Sequence, residues 1–128
     1  MKKIILYLGV GALFTHELDA MTNHEWRVLP LTSFLGEELG RDVFVLLHIP
    51  LFALLIGLLS SANQSRRRAT RLALAAFLAV HALLHWFFSE HPSYEFSSAL
   101  SNTLILLAGA CGISFLVAYL MQSKIENS

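Results

Sequence analysis

Four histidines, His16, His48, His81 and His85, stand inside apolar stretches of a 128-residue chain that is 55% hydrophobic. An imidazole in hydrocarbon must be hydrogen-bonded, ion-paired or coordinated, because an unsatisfied polar group there costs several kcal/mol. His81 and His85 are four residues apart and on a helix project in parallel, a spacing that lets both ligate one metal or lets one support the other. His16, Asp19 and Asn23 follow each other at steps of three and four and share a helix face, while Glu17 points about 100° away. A carboxylate at the depth of Glu17 needs compensation, from Arg27, from Arg41 or from a histidine. His48 precedes Ile49-Pro50, and Pro50 frees a backbone carbonyl near Leu46, so His48 reads either as a ligand or as a structural donor beside a kink.

Several familiar chemistries are excluded by spacing. His16-Glu17-Leu18-Asp19-Ala20 begins like a zinc-protease helix, but alanine stands where the second histidine belongs. No Gly-x-Ser-x-Gly turn and no phosphate-cradling glycine loop occurs. A carboxylate-bridged di-iron bundle draws on more carboxylates than histidines, the reverse of the balance in these apolar stretches. The single cysteine, Cys111, excludes an intrachain disulfide and a cysteine-based zinc cluster. Nine basic and nine acidic residues cancel, leaving no electrostatic case for a nucleic-acid partner. What survives is an N/O site of three or four histidines with a carboxylate, His16, His48, His81, His85 and Asp19, suited to a transition metal, zinc first and iron second. Zinc with an open position would activate water at the membrane surface, with Asp19 or Glu17 as general base, and would favour a hydrolase of lipid-like substrates.

The elements that must position these residues are membrane spans. Mean hydropathy is +0.60 and only 14% of residues are charged, as in an integral membrane protein. Apolar segments run over 4–21, 43–59, 72–88 and 100–121, each close to the roughly 17 to 25 residues that cross a bilayer. Residues 1–128 thus read as one all-α domain, a four-helix up-down-up-down bundle. Lys2, Lys3, Arg66, Arg67, Arg68, Arg71 and Lys124 flank one set of helix ends, which places both termini in the cytoplasm, with the chain multi-pass in the membrane. Residues 31–40 read either as a short interfacial helix or as an outward extension of the second span.

Depth then groups the histidines. His16 lies shortly before the outer end of the first span, His48 shortly after the start of the second, and His81 and His85 before the end of the third. Each is on the order of 5 to 10 Å below the outer surface. Ser97, Ser98, Ser101 and Asn102 of the fourth span fall at the same level. His24 lies at the interface and reads either as a solvated imidazole or as a functional one, while His91, before Pro92 in an outer turn, reads as solvent-exposed.

The stretches His16-Glu17-Leu18-Asp19-Ala20 and His24-Glu25-Trp26-Arg27-Val28-Leu29-Pro30, followed by His48 and by His81 with His85, resemble a family of small bacterial four-span membrane proteins of unknown function. The resemblance covers nearly the whole chain and implies fold and topology, with no activity attached. In ingredients alone, the site is similar to the intramembrane hydrolases of the alkaline ceramidase and adiponectin-receptor group, which have more spans. Alternatives to a hydrolase are a b-type haem or other electron-transfer protein, with two facing histidines as axial ligands, and a small membrane subunit serving as a proton or metal relay. Expected partners are membrane lipids, a lipid-like substrate, and a second copy or a larger membrane complex.

Overall fold

The computed structural model describes residues 2–126, and among these every regular element is a helix. Four long helices, α1 (Lys2–Thr22), α2 (Glu37–Leu59), α3 (Gln64–Phe88) and α4 (Ala99–Glu126), are each long and apolar enough to cross a membrane. The chain is a multi-pass membrane protein of the all-α class. Two short 3₁₀ turns, Glu25–Arg27 and Ser33–Leu35, fold the connection between α1 and α2. Residues 31–40 therefore combine both sequence expectations, a short turn followed by an early start of α2 at Glu37.

The helix ends follow from local chemistry. Asn63 caps α3 by accepting from the Arg66 amide at 3.0 Å, so the arginine run forms the first turns of α3. Gly36 (φ 78°) turns the chain into α2. Pro50 sits inside α2 and faces outward.

Helix α4 packs most extensively, on α1 along one side and on α3 along the other. Glycine permits that closeness. A Cβ at Gly112 would stand 2.5 Å from the Ala75 carbonyl oxygen, and one at Gly9 would stand 2.7 Å from Cys111 Cβ. Leu6, Leu13, Leu78 and Phe115 fill the core between these three helices. Antiparallel neighbours follow from the ends: Lys2 of α1 bonds Gln122 of α4, and Arg68 of α3 lies over the Tyr119 ring of α4.

Helix α2 is different. Within the span only Phe44 and Gly40 are buried, and Leu46, Ile49, Leu54 and Ile56 are exposed. It is held to α1 by the Phe14–Phe52 ring contact and by His48–Glu17. An apolar surface all round is what a peripheral, lipid-facing span requires.

Candidate metal centre

The chain reverses direction at His24, whose φ of 50° puts a non-glycine residue in the left-handed region. That conformation is held from both sides. The His24 carbonyl accepts from the Arg27 amide at 2.9 Å, and the His24 ring Nδ1 meets Glu95 Oε2 at 2.8 Å. Trp26 turns inward onto Phe44, and its carbonyl accepts from the buried Thr32 hydroxyl. Trp26 is thus part of the core, whereas Trp86, 76% exposed, lies on the surface. The turn directs the Glu25 side chain into the bundle, where the residue is 7% exposed.

Glu25 there meets three histidines. One ligand atom from each of His16, His81, His85 and Glu25 lies within 4.8 Å of the others, and all four residues are buried. His16 Nε2 is 3.9 Å from Glu25 Oε2, and His85 Nε2 is 3.7 Å from Glu25 Oε1. Ring centroids of the three imidazoles are 4.7 to 5.0 Å apart, in edge-to-face arrangements. The i, i+4 spacing on α3 supplies His81 and His85, α1 supplies His16, and the loop supplies the carboxylate. Phe96 closes the group, with its ring 5.2 Å from His16 and 4.8 Å from His85.

The hydrogen bonding in this group is incomplete. His16 Nδ1 and Nε2, His81 Nδ1 and Glu25 Oε2 are shut off from solvent and have no hydrogen-bond partner. Each such group costs roughly 1 to 3 kcal/mol if left so. His85 alone is supported, with Nδ1 3.2 Å from the Tyr94 hydroxyl, leaving Nε2 to face Glu25. This is the arrangement by which a ligating imidazole is oriented through its second nitrogen. Burial pushes the Glu25 carboxyl up to about 8, and the charge of Glu17 adds to the rise. An ionised carboxylate in that position needs a cation beside it. Burial likewise raises the Tyr94 phenol, with Glu25 the second cause.

The structure distributes the remaining sequence candidates elsewhere. His48 stands apart from the group: its Nε2 is 2.9 Å from Glu17 Oε2 and its Nδ1 is 2.7 Å from the Phe44 carbonyl oxygen. A carbonyl only accepts, so Nδ1 carries a proton, and Nε2 and Glu17 share one more between them. Glu17 thereby finds a histidine and neither Arg27 nor Arg41. Asp19 is also outside the group; its backbone carbonyl accepts from Asn23 and Thr22, and its Oδ2 is buried without a partner. Ser101 is fully buried and meets the Ser98 hydroxyl at 2.8 Å. His91 is exposed. Glu25 is the member that sequence reasoning left in the polar connection.

A charged lattice ties the loops over this end. Arg27 donates to both Glu37 oxygens at 2.8 Å and to Glu95 Oε1 at 3.0 Å. The His24 contact foremost, and then Arg27, hold the Glu95 carboxyl below its usual value. Between α3 and α4 a cleft of about 360 Å³ reaches His85, with Tyr94, Ser97 and Asn102 on its walls.

The family model for a family of unknown function, DUF6713, matches residues 2–122. The chain belongs to this family. No curated protein and no solved structure matches it.

Proposed function

From membership of a family that carries no assigned activity, we propose that the protein is a membrane-embedded metalloprotein whose centre is formed by His16, His81, His85 and Glu25. The observation that carries this reading is the convergence of four buried ligating groups, three of them with unpartnered atoms. Buried lone pairs without a hydrogen-bond donor are what a cation satisfies. Three imidazoles and one carboxylate suit zinc, with iron the next choice. When bound, zinc supplies a Lewis acid able to polarise a carbonyl or a water. Haem fits less well, because edge-to-face imidazoles at this spacing leave no slot for a macrocycle between two axial ligands.

The centre lies at the end of the bundle opposite the arginines of α3, which by the positive-inside rule faces the periplasm of a bacterial inner membrane, with both termini cytoplasmic. Elemental analysis of protein extracted in a mild detergent tests the reading. About one zinc per chain is expected, lost in the His81→Ala/His85→Ala double variant and retained in His48→Ala. Absence of transition metal, or equal metal in the double variant, contradicts it.

Hydrolysis of a lipid-like substrate is a second reading, favoured by the cleft that reaches His85 from between α3 and α4. In that case the substrate would reach the centre beside His85, and Glu25 would help hold the ion. Turnover of an ester- or amide-linked fluorogenic lipid by zinc-loaded protein, abolished in Glu25→Gln, supports it; turnover that persists in Glu25→Gln removes Glu25 from that role.

A further inference from the structure

At the end of the bundle remote from the histidines, α1, α3 and α4 border an open cavity of about 620 Å³. Lys2 and Lys3 of α1 and Arg67, Arg68 and Arg71 of α3 line it. A row of solvated arginines is the ordinary outcome of the positive-inside rule, and four observations separate this cluster from one. Among the described side chains, of which Glu126 is not one, no carboxylate forms an ion pair with any of the five. Their visible partners are neutral: Arg68 lies 5.0 Å over the Tyr119 ring, Lys2 bonds the Gln122 amide, and Arg67 donates to the Ser61 and Ala62 carbonyls. Arg71 is partly buried, and its Nε is closed to solvent with no hydrogen-bond partner. The floor, finally, is apolar, made by Leu72 and Phe115.

Five like charges drawn round one space repel each other, and a guanidinium fork left open there matches a phosphate in charge and in geometry. Basic pockets between spans at a cytoplasmic face are suited to lipid headgroups. The apolar floor gives an acyl chain a surface to lie on. We propose that this cavity binds a phosphate group, carried by an anionic phospholipid whose headgroup sits among Lys2, Lys3, Arg67, Arg68 and Arg71.

The test titrates the full-length protein in neutral detergent with phosphatidylglycerol, phosphatidylcholine or inorganic phosphate. Native mass spectrometry counts retained molecules, and the melting temperature gives a second readout. Phosphatidylglycerol is expected to add one retained molecule and raise the melting temperature, while phosphatidylcholine does neither. Arg68→Gln and Arg71→Gln should each weaken retention roughly fivefold. Arg66→Gln is the control, because Arg66 is exposed in the same run but does not line the cavity. Should Arg71→Gln fail to fold, Arg71→Lys keeps the charge and removes the fork, and the comparison of the two lipids stands on the unaltered protein. Stabilisation by inorganic phosphate with no retained lipid assigns the phosphate site to a free anion and overturns the lipid. Equal retention of phosphatidylcholine, equal loss in Arg66→Gln, or no response to either phosphate source overturns the site.

Discussion

Glu25 Oε1 stands 3.7 Å from His85 Nε2, although one residue belongs to the connection after α1 and the other to the last turns of α3. The carboxylate of the centre therefore comes from a loop folded inward, and the helix face that bears His16 does not supply it.

Glu25→Gln should weaken zinc binding by more than the roughly 10- to 100-fold that loss of an outer supporting group costs. Asp19→Asn should leave binding unchanged, since Asp19 is outside the group. Competition titration with a chelating dye measures both. The reverse ranking would return the carboxylate role to Asp19.

The His48–Glu17 pair is an anchor for α2. Removing His48 leaves a partly buried carboxylate without its partner, so His48→Leu should cost about 3 kcal/mol while Glu17→Gln/His48→Leu recovers much of it. A double-mutant cycle by denaturant unfolding in micelles reads the coupling. Strict additivity of the two single changes would show that the pair does not hold the helix.

Close contact of α4 with α3 depends on Gly112. Gly112→Ala forces a methyl group against the Ala75 carbonyl oxygen and should cost about 1 to 3 kcal/mol. Gly57→Ala meets nothing within 4 Å and serves as the control. Equal melting temperatures for the two variants would contradict the packing.

Acid should loosen the loops through Glu95. Its folded-state pKa lies below the ordinary 4.5, so its stabilising effect is present above that value and is lost as pH falls through the folded value. His24 and Arg27 face it directly, and Glu37 shares Arg27. Melting temperature should fall more steeply below pH 4.5 in the unaltered protein than in Glu95→Gln. Parallel slopes would remove Glu95 from the acid response.

Much of this arrangement is written in local patterns. Four apolar runs with arginines at one set of ends give four helices, and the i, i+4 pair His81 and His85 reaches one point because a helix brings such residues to one face. The depth argument also joined His16 to them correctly in space. It could not separate His48 from them, since depth says nothing of rotation about the axis. A further step was available: Glu17 lies about 100° from His16 on α1, so a helix that turns His16 towards α3 turns Glu17 towards α2, where His48 waits. Glu25 was beyond periodicity altogether. Its inward direction depends on a left-handed residue at His24 and on the His24–Glu95 and Thr32–Trp26 contacts, all of them long-range or conformational facts that leave no repeat in the sequence.

The central claim is that three imidazoles and one carboxylate share one ion, and X-ray absorption at the zinc edge tests it most directly. The account predicts a light-atom shell of about four neighbours with multiple scattering from three imidazoles, reduced or absent in His81→Ala/His85→Ala. A shell with sulfur, or with fewer than two imidazoles, would contradict it.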